Sequence, residues 1–158
     1  MKEQKEQTGS ANRLKPLAHG AANRCFGCGE ANRTGLRLRF LVDDEGTVIC
    51  RVKIPARFEG PRGHVHGGVI ATLLDEVMSK ANRVRGVVAM TRRLEVDYLR
   101  PVPLRTPIEI IGRHLRADGR KHFCEAEIRL GKTAIATGNA LFIAIPVRTP
   151  DETSSVGL

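Results

Sequence analysis

The stretch His66-Gly67-Gly68-Val69-Ile70-Ala71-Thr72-Leu73-Leu74-Asp75-Glu76-Val77-Met78 decides how the rest of the chain is read. At about 100° per residue, Ile70, Leu73, Leu74, Val77, Ala81 and Val84 fall on one stripe, the pattern of a helix laid against a core. Asp75 lies roughly 140° from Ile70 on the same wheel, beside Gly68, Ala71, Ser79 and Asn82. Small residues on that second strip suit close approach by another surface. The two glycines open the helix with backbone N–H groups that lack intrahelical acceptors and can receive developing negative charge. A carboxylate about two turns further on, Asp75, reads either as a solvated helix carboxylate or partner for Lys80 or Arg83, or as the acid of a hydrolytic site, general base or nucleophile. Glu76 points about 100° further round and reads as structural or as a reserve carboxylate.

Working outward, residues 36–42 alternate apolar and basic side chains, and Asp43-Asp44-Glu45-Gly46 turns the chain into a second alternating run through Val48, Cys50, Val52 and Ile54. This is the pattern of a hairpin with one buried face. Pro55 ends it, and a glycine-rich crossing loop leads into the helix, which stops near Arg85-Gly86. Four further strand-like runs follow, over residues 87–99, 107–116, 122–130 and 134–145, separated by Pro- and Gly-containing turns. One long helix must cover the apolar face of the whole sheet. The economical arrangement is an α+β fold in which a strongly curved antiparallel sheet wraps around that helix.

The chain has 158 residues, 41% apolar and 27% charged, which fits one globular domain. No apolar run is long enough to span a bilayer. Residues 1–24 lack the apolar core of a secretory leader and mix Lys2, Lys5, Arg13 and Lys15 with Glu3 and Glu6, so they are expected to form a mobile polar tail. Residues 25–146 then form the domain, residues 147–158 a second polar tail, and a cytoplasmic location is expected. Such a chain is expected to keep Cys25, Cys28, Cys50 and Cys124 reduced. Cys25-Phe-Gly-Cys28 has the spacing of half a zinc site, but only His64/His66 or His114/His122 offer a second close pair, so no metal is expected.

The net charge is +9, and residues 80–105 carry seven basic side chains against Glu95 and Asp97, a local +5. Such a patch suits phosphates. Nucleic acid is disfavoured because no DNA-binding motif is recognisable and only 4% of residues are aromatic, leaving few stacking partners for bases. There is no Gly-x-Ser-x-Gly elbow, no His-Glu-x-x-His, no phosphate-binding glycine loop and no serine placed as a nucleophile. What remains is acid–base hydrolysis without a cofactor.

The segments HVHGGVIATLLDE (64–76) and AMTRRLEVDYLRPVPL (89–104), with CFGCGEANRTGLRLRF (25–40) and GRKHFCEAEI (119–128), resemble the hotdog-fold acyl-CoA thioesterases, specifically the PaaI-like branch of the 4-hydroxybenzoyl-CoA thioesterase superfamily. The likeness runs over residues 25–145. It implies hydrolysis of an acyl-CoA to free acid and CoA, with Asp75 as the reacting carboxylate and the backbone at Gly67 and Gly68 as oxyanion donor. His66 is expected to orient the thioester or support the loop. The resemblance makes Thr91 a hydroxyl that holds water or substrate, and Asp97, Arg100, Arg120 and Lys121 contacts to coenzyme A. It also implies homodimers, or dimers of dimers, in which the edge strand 87–99 pairs with its copy and the active sites lie in the groove between subunits. The Cys25/Cys28 motif recurs in that branch without implying a metal. Some relatives carry an Asn or Gln where this chain has Gly60, next to Glu59, which leaves oxyanion stabilisation to the backbone. A non-catalytic acyl-CoA binding or sensing protein on the same fold is the alternative, and a hotdog dehydratase is disfavoured because the expected His arrangement is absent.

Overall fold

The computed structural model describes residues 13–146. In chain order the elements are β1 (Lys15–Pro16), β2 (Leu41–Val42), β3 (Val48–Lys53), a single 3-10 turn (Ala56–Phe58), α1 (Gly67–Val84), β4 (Ala89–Tyr98), β5 (Pro107–Asp118), β6 (Lys121–Leu130) and β7 (Thr133–Ala144). The strands form one antiparallel sheet in the order β1-β2-β3-β5-β6-β7-β4. It curves around α1, which touches β3, β4, β5, β6 and β7. The expected architecture, a curved antiparallel sheet around a single long helix, is the one observed.

Periodicity explains the packing. Ile70, Leu73, Leu74, Val77 and Ala81 are buried on α1, and Met78 joins them. On β6, His122, Cys124, Ala126 and Ile128 are buried against the helix while Phe123, Glu125, Glu127 and Arg129 face outward, the two-residue alternation of a strand covered on one side. Helix and sheet come close at Gly112 of β5, where a Cβ would stand 2.9 Å from the Val77 backbone. Gly112→Ala must therefore push α1 off the sheet. We expect a loss of about 1–3 kcal/mol in urea unfolding, the usual cost of overpacking.

Two expectations are corrected. Residues 36–40 do not form a strand of the hairpin: Leu36 and Leu38 donate to the Phe26 and Gly27 carbonyls, and only Leu41–Val42 pairs with β3. Arg37, with φ of 54°, breaks the extended run, although Leu38 and Phe40 stay buried. The segment 13–24 is not wholly a detached tail: Lys15–Leu17 docks on the sheet, while most side chains from 18 to 24 are exposed. Lys15–Pro16 pairs with Leu41–Val42, the Leu17 N–H donates to the Phe40 carbonyl at 2.9 Å, and Leu17 packs on the core. Pro16 is tolerated there because β1 is an edge strand. Residues 1–12 and the expected C-terminal tail, 147–158, lie outside the described residues. No helix among the described residues is long and apolar enough to cross a membrane.

Candidate active site

Asp75 sits halfway along α1, on the flank turned to β4. The Thr91 hydroxyl donates to its Oδ1 at 2.7 Å. Burial pushes the Asp75 carboxyl above its ordinary range; the Thr91 hydrogen bond opposes that push and the Glu76 charge adds to it. A carboxylate with raised proton affinity is a better proton acceptor than a solvated one.

Thr91 reaches Asp75 because of an irregularity in β4. Thr91 pairs with Phe142 and Arg93 with Leu141, so Arg92 is the extra residue of a β-bulge. In a regular strand Thr91 would share its face with Arg93 and Glu95. The extra residue shifts the alternation, so Leu94 and Val96 pack on the core and Tyr98 reaches α1, all on the Thr91 side.

At the helix start His66 is the N-cap: its backbone is extended and its Nδ1 accepts the Gly68 N–H at 3.0 Å. The expectation that both glycines offer N–H groups is thereby corrected, since the cap occupies the Gly68 donor. The Gly67 N–H meets no acceptor among the described residues. Gly60 explains why no Asn or Gln stands in the crossing loop: a Cβ there would come 2.7 Å from the His66 Cα. Glu59 is engaged locally, its Oε1 accepting the Gly63 N–H at 2.6 Å.

Tyr98, which periodicity does not single out, closes this end of the site. Its hydroxyl donates to the Gly67 carbonyl at 3.1 Å. Beside it lies a depression of about 350 Å³ whose apolar lining includes Val65, Ile70, Leu99, Pro101 and Val102.

Eight residues separate Gly67 from Asp75, about 12 Å along the axis at 1.5 Å per residue. A reacting carbonyl must lie about 3 Å from both the donor and the carboxylate or its water. Within one chain the two groups therefore cannot serve the same carbonyl. The expected coenzyme A contacts are divided in the same way. Arg100 and Asp97 lie at the Gly67 end of β4, with Asp97 on the outer face of the sheet, since it alternates with Val96 and Tyr98. Lys121 instead pairs with Ile143, which also pairs with Met90, so the Arg120–Lys121 turn stands at the opposite end, roughly 20 Å away by strand rise. Arg120 is anchored there, its Nε donating to the Ala144 carbonyl at 3.0 Å.

The basic stretch does not form one patch. Lys80 is largely buried in an ion pair with Glu76, Nζ to Oε1 3.1 Å, and Arg93 pairs with Glu95 at 3.5 Å. Glu76 faces away from Asp75, toward Cys25 and Cys28, whose sulfur atoms and a Glu76 oxygen lie within 4.8 Å of one another. The partners sought for this pair in sequence, the histidines at 64/66 and 114/122, are elsewhere; His114 and His122 bond each other at 3.0 Å.

Comparison with known proteins bears on the fold and the family. Residues 62–137 match the pattern of the thioesterase superfamily. Over 108 residues the chain is 32% identical to acyl-coenzyme A thioesterase THEM4 of Rattus norvegicus, a match covering 67% of this chain and 46% of that protein. The chain spans about half the length of the curated relatives it matches. Among solved structures, a thioesterase superfamily protein superposes with a TM-score of 0.73 at 33% identity, over 76% of this chain and 60% of that one. A hypothetical thioesterase from Streptococcus pneumoniae, solved with coenzyme A, superposes with a TM-score of 0.62 at 18% identity, over 66% and 85%, a likeness of fold alone. Sheet order, helix placement and these matches agree: the chain carries the hotdog fold, and over residues 62–137 it is similar to the thioesterase superfamily.

Proposed function

We propose that the chain is an acyl-CoA thioesterase that works as a homodimer, with Asp75 and Thr91 of one protomer facing Gly67 of the other. The observation that carries this reading is the half-buried Asp75 carboxylate, held by Thr91 on an outermost strand of the sheet. That strand and the residue after it expose Met90, Tyr98 and Leu99 at 62%, 55% and 55%, an edge that calls for a cover. Antiparallel pairing of β4 with its copy, about a two-fold axis near mid-strand, sets the Thr91 end of one strand beside the Tyr98 end of the other. The 12 Å gap along one helix (about eight residues of rise) is then bridged by the partner.

In this arrangement the thioester oxygen accepts the Gly67 N–H, aided by the positive end of the α1 dipole. Asp75 takes a proton from the attacking water, or attacks directly to give a mixed anhydride. The carbon–sulfur bond breaks, and CoA leaves as a thiolate that recovers a proton. On the second route water then opens the anhydride, and a single turnover in heavy-oxygen water reports attack at its aspartyl carbon as label in Asp75, which general-base attack never leaves there. His66 supports the helix start by capping it. Arg100 of one subunit and Arg120 and Lys121 of the other meet at one rim, where their charges suit the coenzyme A phosphates; Asp97 stands beside it. The name of the rat relative, an acyl-coenzyme A thioesterase, supports the same substrate class.

Thiol release from a panel of short, long and aryl acyl-CoAs tests the proposal. Hydrolysis of at least one class is expected; binding of CoA esters without thiol release by the wild type would leave the fold a non-catalytic acyl-CoA binder. Thr91→Val should lower kcat on the order of tenfold, the weight of a hydrogen bond to a charged group. It should also move the acidic limb of the kcat/KM profile to higher pH, because Thr91 is what holds the Asp75 carboxyl down.

A further inference from the structure

We propose that Cys25, Cys28, Glu76 and His19 form a zinc site that fastens the N-terminal segment to the middle of α1. This departs from the metal-free expectation drawn from sequence. Cys25 Sγ stands 3.6 Å from Glu76 Oε2. Zinc–sulfur and zinc–oxygen bonds of about 2.3 and 2.1 Å give a tetrahedral edge of roughly 3.6 Å. Cys28 Sγ completes a triangle with these two atoms, all within 4.8 Å. The three donors flank a cavity of about 540 Å³, and His19 lines the same cavity. Its Nε2 is buried and has no hydrogen-bond partner. This orphaned imidazole nitrogen lines the cavity outside the 4.8 Å triangle, and a swing of the His19 side chain toward the metal brings in the fourth ligand that tetrahedral zinc requires.

The surroundings are those of ligands already held in place. Lys80 Nζ occupies the other oxygen of Glu76, Oε1, at 3.1 Å and leaves Oε2 turned toward Cys25. Asn23 Nδ2 donates to Cys28 Sγ at 3.3 Å. The Cys25–Cys28 turn folds over the carboxylate so closely that a Cβ on Gly27 would come 2.5 Å from Glu76 Oε2. Two thiolates and one carboxylate are offset by a dication and the Lys80 ammonium, and binding releases the two thiol protons to solvent. Thiolate and imidazole donors favour zinc over magnesium or calcium. The site lies on the far flank of α1 from the proposed reaction and does not depend on it.

Cobalt is the probe. Tag-free full-length chain, reduced and stripped with chelator, is titrated anaerobically with Co²⁺. One equivalent should produce thiolate-to-cobalt charge-transfer absorption with tetrahedral d–d bands, and Zn²⁺ should abolish both. Cys25→Ser and Cys28→Ser should each lose charge-transfer intensity, His19→Ala should shift the d–d bands, and Cys124→Ala should change nothing. Lys80→Gln should weaken cobalt binding about tenfold, as loss of a partner that orients a ligand does. Cys25 is exposed, so its substitution leaves the test readable if Cys28→Ser does not fold. Absence of the charge-transfer band in natively folded wild type overturns the proposal, and so does a band of undiminished intensity in Cys25→Ser.

Discussion

Asp75→Asn lowers kcat for acyl-CoA hydrolysis by about a thousandfold, within the usual range for loss of a general base, and leaves KM nearly unchanged. The amide keeps the size of the carboxyl and can still accept the Thr91 hydroxyl at its Oδ1, so the variant folds. It should also be more stable than wild type at neutral pH. Because burial raises the Asp75 pKa, the folded chain holds this proton more tightly than the unfolded chain. Stability from this group is therefore complete below the ordinary aspartate range and declines as pH rises through the raised value. The Tm advantage of Asp75→Asn should be largest near neutrality and fade in acid, a trend that differential scanning fluorimetry across pH reads directly. The opposite trend would mean that the carboxylate is stabilised where it sits, which the proposed role does not allow.

Gly67→Pro lowers kcat by about 10²–10³-fold, the cost of removing one oxyanion donor. Proline deletes only the N–H, since Gly67 is the first helical residue, where proline is welcome, and the preceding His66 has the extended backbone that proline demands. Far-ultraviolet circular dichroism should therefore be unchanged. The decisive measurement mixes this variant with Asp75→Asn. If each site takes its carboxylate from one protomer and its donor from the other, a mixed dimer regains one intact site. Co-expression should then restore about a quarter of the wild-type rate when protomers assort at random. A site contained in one chain restores nothing. Light scattering on the wild type should give the mass of a dimer or a multiple of it.

Much of the fold was legible because its signals are local. The 3.6-residue recurrence of Ile70, Leu73, Leu74 and Val77 places α1 against a core, and the alternation through His122–Ile128 places β6 beside it. Asp75 and Gly67 followed from their places on that helix, and Thr91 from resemblance. What sequence could not show depends on register and on distant partners. The surplus residue at Arg92 appears only once β4 is laid against β7. Lys80 reads as one of seven basic residues, yet its partner Glu76 one turn back draws it out of the surface. His66, expected to orient the thioester or support the loop, caps the helix start, a contact that depends on its own extended backbone and that composition does not reveal. His19, in a segment whose composition reads as solvated, comes to the Cys25–Cys28 turn through long-range packing that periodicity does not encode.

The bulge at Arg92 makes β4 two half-strands set one residue out of phase. Leu94, Val96 and Tyr98 would keep their places if the surplus residue were deleted, because they are registered on β7. Thr91 would keep its place as well, because it would then stand two residues before Leu94 on the same face. A one-codon deletion at Arg92 therefore leaves both the architecture and the Thr91–Asp75 pair intact, so this edge tolerates shortening without loss of its chemistry.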